Sequence, residues 1–158
     1  MRTKALINPL LVWFMSLACI SVAAAQAGGV AVVVNGLNPV TKLNSRELRK
    51  IFAGEKHAWS SGIPIKVFVR SPGTRERVVL LKLLGMTESD YKEYWIAQVF
   101  RGEAQAEPLA LPSNGMQREA VVTYPGAIAL VNTQDVKTGM KVVSVEGRFP
   151  GDAGYPLN

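Results

Sequence analysis

The sequence predicts an α/β domain whose sheet is mixed or mainly parallel and flanked by helices. Three observations carry that class. Residues 30–34 form a run without a polar side chain, residues 63–69 alternate apolar positions with others, and stretches with helical spacing and capping residues lie between the strand-like runs. Strands that alternate with helices are joined most simply as crossovers, which build a parallel or mixed sheet.

Taken in order, residues 30–34 (VAVVV) are closed by Asn35-Gly36, a turn pair. A run with no polar alternation needs both faces covered, so this strand is expected in a parallel or central position. Asn44 with Glu47 three places on is a capping-box-like start, with Leu48, Ile51 and Phe52 on one face and Gly54 as the stop. Ile63, Ile65, Val67 and Val69 then form a strand that runs into Arg70-Ser71-Pro72-Gly73-Thr74. A helix follows from Thr74, carrying Val78, Leu81 and Leu84, and Gly85 ends it.

Thr87 with Asp90 restarts a helix on which Tyr91, Tyr94, Trp95 and Val99 recur at three and four residues. This aromatic stripe reads as core. Residues 103–113 read as a loop, residues 114–122 as a helix, and Pro125-Gly126 turns the chain into strands at 127–131 and 140–145.

The first 27 residues have the parts of an export signal: Arg2 and Lys4, an apolar run to Ala25, and small residues at its exit. Cleavage after Ala25 or after Ala27 satisfies the small-x-small pattern. A retained membrane anchor is the alternative, since residues 10–25 approach a spanning length. Cys19 is the one cysteine of the chain and falls inside this segment; Ser16 three places before it argues against lipidation. Cleavage leaves residues 28–158 as one domain, with no thiol for a disulfide, a metal or a nucleophile. The net charge falls from +6 to +4, because Arg2 and Lys4 leave and the twelve acids stay. Basic residues are interleaved with acids, as in Arg46-Glu47 and Arg75-Glu76-Arg77, which suits solvated helix faces better than a nucleic-acid stripe.

In a sheet of this class, ligands sit beyond the carboxyl ends of strands. The segment to inspect is therefore Arg70 to Thr74. Free N–H groups at a helix start, a glycine that lets a ligand approach the backbone, two hydroxyls and a guanidinium would suit an oxyanion. The bland alternative is a capped helix: Ser71 or Thr74 as cap, Pro72 in the first turn, Arg70 on the surface. Other constellations are weaker. His57 has no second ligand at a metal-like spacing, no serine sits on a nucleophile elbow, and Glu88 and Asp90 read as helix-start charges. Trp59 and Trp95 could stack on a sugar or base, but a core role is the simpler reading. No catalytic residue, metal site or cofactor is expected.

Four segments in order resemble the substrate-binding proteins of phosphate ABC transporters: ELRKIFAGEKHAW from Glu47, IKVFVRSPGTRE from Ile65, YPGAIALV from Tyr124 and VVSVEGRFPGDAGYPL from Val142. The resemblance implies a single lobe of a type II periplasmic-binding-protein-like fold. It also implies a noncatalytic periplasmic protein that binds phosphate or a related oxyanion weakly, through Arg70, Ser71, Gly73 and Thr74. An ABC transporter permease or another envelope protein is the implied partner, with no nucleic acid and no stable membrane insertion once the signal is removed. The departures are instructive. The family loop separates its arginine from Ser-Gly-Thr, whereas Arg70 here abuts Ser71 and Pro72 stands before Gly73-Thr74; Ala129-Leu130 replaces a Gly-Tyr. Full receptors of the family close two lobes on phosphate, and this chain has the length of one. An interaction or sensory module that keeps the fold without the ligand is the competing reading.

Overall fold

The computed structural model describes residues 28–157; the expected export segment and Cys19 lie outside them. Six strands and four α-helices follow in the order β1 (Val30–Asn35), β2 (Lys42–Leu43), α1 (Ser45–Phe52), β3 (Lys66–Arg70), α2 (Arg75–Leu84), α3 (Glu88–Phe100), β4 (Leu109–Leu111), α4 (Asn114–Thr123), β5 (Ala127–Asn132) and β6 (Met140–Val145), with a 3-10 turn at Thr133–Asp135. They form one mixed sheet in the order β2-β6-β1-β5-β3-β4.

β1 is central, as its apolar run requires, yet it runs antiparallel to both neighbours, β5 and β6. The other five strands share one direction through the parallel pairs β2–β6, β3–β5 and β3–β4. An unbroken apolar run reports that two faces are covered; it carries no signal of direction. The two covers are visible along β1. Val30, Val32 and Val34 face Leu48, Ile51 and Phe52 of α1, Leu80 and Leu84 of α2, and Tyr91 and Trp95 of α3. Ala31 and Val33 face Phe68, Leu111 and Val121 of α4 on the other side. Each fully buried valine or leucine of this set contributes about 1.5–3 kcal/mol of transfer free energy, so β1 holds both layers.

The helix starts follow from their caps. Asn44 accepts the Glu47 N–H at 2.7 Å, and Thr87 and Asp90 form a reciprocal capping box. Gly85 closes α2 in the left-handed conformation at φ 69°, where a side chain would be strained.

Four expectations need correction. The strand expected from Ile63 joins the sheet only at Lys66; Pro64 has no N–H to give, and it bridges Ala58 instead. The 103–113 segment is not all loop, because residues 109–111 form β4 beside β3. Val78 is 59% exposed, and α2 instead buries Leu80, Leu84, Glu76 and Arg77. Val99 on α3 is exposed while Gln98 is buried. In both helices a polar side chain with a partner takes the inward position that hydrophobicity alone assigns to a neighbour. Trp59 and Trp95 are core residues, at 3% and 4% exposure.

Candidate functional site

The carboxyl ends of β2 to β6 all lie on one edge of the sheet, and α1, α2 and α4 begin from it. The connection after β3 leads to α2 on one face, and the connection after β4 leads to α4 on the other. Adjacent strands whose connections leave toward opposite faces open a crevice between their ends. Residues 70–74, singled out from the sequence, stand at that crevice.

Its floor is the carbonyl of Leu111. The Ser71 N–H donates to it at 3.3 Å and the Arg70 guanidinium donates through Nη1 at 3.0 Å. Arg70 is therefore no surface residue: it is 8% exposed, its Nε is buried without a partner, and no carboxylate among the described residues pairs with it. Glu76, also buried, borders the same small void as Arg70, but its carboxylate accepts from Asn132 Nδ2 at 2.9 Å. The buried Arg70 cation and the buried Glu76 carboxylate both act on the potential beneath the loop.

Above it, Gly73 takes φ +85°, and a Cβ there would meet nothing within 4 Å, so the loop surface is open. Thr74 is the N-cap of α2: its hydroxyl accepts the Arg77 N–H at 3.3 Å and donates to the Ser71 carbonyl at 2.9 Å. The hydroxyl proton of Thr74 is thus committed within the loop. Ser71 is half-buried, and its hydroxyl has no partner among the described residues. Arg75 and Glu76 are the first two residues of α2, so their N–H groups have no carbonyl four places back in the helix. The helix dipole adds about half a positive charge at that point.

The far side of the loop is clamped. Arg77 makes two bonds to Glu88, Nε to Oε1 at 2.9 Å and Nη2 to Oε2 at 2.8 Å, and its guanidinium carbon lies 3.9 Å from the centre of the Tyr91 ring. Burial works against the charge of Arg77, but the bond to Glu88 and the Tyr91 contact outweigh it and raise its pKa. The hydrogen bond from Arg77 holds the Glu88 carboxyl below its ordinary value of 4.5. Glu88 and Asp90 are helix-start charges, as their spacing predicts, and Glu88 also ties α3 to the first turn of α2.

All four sequence-predicted residues fall on this one loop, in unequal roles: Ser71 and Gly73 at the open surface, Thr74 as cap, Arg70 beneath. Sequence reasoning missed the Leu111 carbonyl, on which the Arg70 guanidinium and the Ser71 N–H meet from about 40 residues away. His57 lies exposed beside the start of β3, at the other end of that strand from residues 70–74, its carbonyl taking the Ile65 N–H at 2.8 Å. Among the described residues no cluster of His, Cys, Asp and Glu could hold a metal ion, and no helix is long and apolar enough to cross a membrane.

A sequence signature accompanies this fold: the PBP superfamily domain profile covers residues 23–155. The chain belongs to that family. Solved structures agree in architecture. An ABC-type phosphate transport receptor from Vibrio cholerae superposes with a TM-score of 0.62 at 24% identity, over 77% of this chain and 48% of that one. A protein from Clostridium perfringens, assigned as a phosphate ABC transporter substrate-binding protein and solved with phosphate bound, gives 0.61 at 20% identity, over 75% and 45%. PstS from Borrelia burgdorferi gives 0.57 at 18% identity, over 77% and 49%. This PBP-family chain thus spans about half the length of those solved relatives. No curated protein matches it.

Proposed function

We propose that the protein is a noncatalytic, periplasmic, substrate-binding-protein-like lobe that binds phosphate or a related tetrahedral oxyanion at the α2 N-terminus, in the service of phosphate transport. The observation that carries this reading is the open loop at Gly73, where the Ser71 hydroxyl and the first N–H groups of α2 have no partner among the described residues, next to the buried guanidinium of Arg70, which has no ion-pair partner among them. The likeness to phosphate receptors supports the ligand class. Affinity should be low. Three or four charge-assisted hydrogen bonds at about 1.5–3 kcal/mol each must offset the cost of immobilising the ligand. A micromolar constant needs about 8 kcal/mol net, which one open lobe does not reach; millimolar binding is the expectation. Titration with inorganic phosphate, followed by amide NMR, should move the signals of Gly73 and the first turn of α2 before others. Spectra unchanged at tens of millimolar would remove the binding reading.

A second reading, an envelope interaction module, is favoured by one observation: Ile96, Val99 and Phe100 stand 59%, 42% and 90% exposed on the last turns of α3, around one surface depression with Glu107. A pull-down from envelope extract with the wild type and an S71A/T74A double variant separates the two. An interaction module keeps its partners when the loop is erased.

A further inference from the structure

We infer that the exposed end of α3 is the face through which two copies of this chain pair, their α3 helices crossing antiparallel about a two-fold axis near Ala97. This pairing requires neither the anion site nor an envelope partner.

Lys92, Ile96, Val99 and Phe100 recur at three and four residues and are all exposed, so they form one stripe along α3, while Tyr91, Trp95 and Gln98 hold the opposite side in the core. Three neighbouring apolar side chains left in water mark a face that gains from being covered. With Trp95 and Glu107 they border one surface depression.

The charges along the stripe point to what covers it. Around a two-fold axis, residue i of one copy meets residue j of the other and j meets i. With the axis near Ala97, Phe100 faces Trp95 of the second copy and the depression it borders, Ile96 faces Val99, Lys92 faces Glu103, and Glu93 faces Arg101. Every facing pair is apolar with apolar or cation with anion. A parallel pair would instead set Lys92 beside Lys92 and Glu93 beside Glu93, so repulsion selects the antiparallel direction. The charges are available for exchange. Among the described residues Lys92 and Glu93 have no ion-pair partner, and Arg101 pairs with Glu103 at 3.3 Å with both side chains about half exposed. Such a surface pair contributes little to the single chain. A foreign partner would need only one half of this pattern, whereas a second copy supplies both.

The apolar centre is small, which places the interface at the weak end, below about 1,200 Å² in total. Sedimentation velocity of the purified protein over a series from about 10 μM to 1 mM should therefore show a reversible monomer–dimer equilibrium. Phe100→Glu should abolish the dimer and leave the thermal midpoint unchanged, since that side chain is exposed in the single chain. Lys92→Glu acts on two symmetry-related contacts and should weaken pairing about five- to tenfold. Lys92→Glu combined with Glu103→Lys should recover most of that loss, because the facing charges are opposite again. A monomer at every concentration overturns the pairing, whether or not an envelope protein binds this face. A dimer that keeps its strength in Phe100→Glu, or that is as weak in the charge swap as in Lys92→Glu alone, contradicts the antiparallel arrangement.

Discussion

The indole Nε1 of Trp59 donates to the carbonyl of Gly126 over 3.1 Å, joining two segments that lie 67 residues apart. The same carbonyl accepts the Lys66 N–H at 3.0 Å, where β3 starts. Trp59 and Gly126 thus fix the far ends of β3 and β5, and with them the alignment of the carboxyl edge where the loop sits. Gly126 has no room for a side chain, since a Cβ there would stand 1.8 Å from the Pro64 carbonyl oxygen. Gly126→Ala should therefore force the backbone apart and cost about 1–3 kcal/mol or more, read as a lower urea midpoint. Trp59→Phe should cost less than Trp59→Ala, because Lys66 still satisfies the carbonyl.

Ser71 and Thr74 separate by role. Thr74→Ala removes the α2 cap and should cost about 1 kcal/mol of stability, and Thr74→Ser should recover most of it. Ser71→Ala touches no protein partner and should stay within about 0.5 kcal/mol of wild type, yet weaken phosphate. Equal loss of stability in both variants would place the Ser71 hydroxyl in the fold and not in the site.

The Arg77–Glu88 pair gives an acid dependence with a definite sign. Glu88 is held below its ordinary value of 4.5 by the bond from Arg77, so its contribution is present above that value and is lost as pH falls through the folded one. The Glu88 side chain is 43% exposed, which limits the gain to about 1 kcal/mol or less. Denaturant midpoints of the wild type and Glu88→Gln should differ at pH 7 and converge as the pH falls through the acid range below 4.5. A constant difference across that range would contradict the pairing.

Tyr155 gives the opposite limb. Burial pushes its phenol from 10 up to about 12, so stability is fully present below about pH 10 and is lost as pH rises towards 12. Burial raises the Tyr91 phenol as well, so ultraviolet titration should show two tyrosines ionising late, and Tyr155→Phe should remove one of them and lessen the alkaline loss.

Much of this was legible because it is local. Asn44, Thr74 and Thr87 cap the helices that their spacing announces, Gly85 closes α2, and β1 is buried on both faces as its run of valines requires. What was not legible depends on distant partners. Residues 109–111 become a strand because β3 lies beside them, not through any alternation of their own. Glu76 and Arg77 turn inward because Asn132 and Glu88 receive them, and their charges hide that in the sequence. The candidate site divides in the same way. The four residues of the loop could be named from their order, whereas the burial of Arg70 depends on Leu111, a residue 41 places away in the sequence.

The measurement that bears most directly on the account is a crystal of the protein soaked in phosphate. The account predicts tetrahedral density at the start of α2, within hydrogen-bond distance of the Arg75 and Glu76 N–H groups and the Ser71 hydroxyl. Phosphate bound elsewhere, or an empty loop at saturating phosphate with the edge free of lattice contacts, would contradict it.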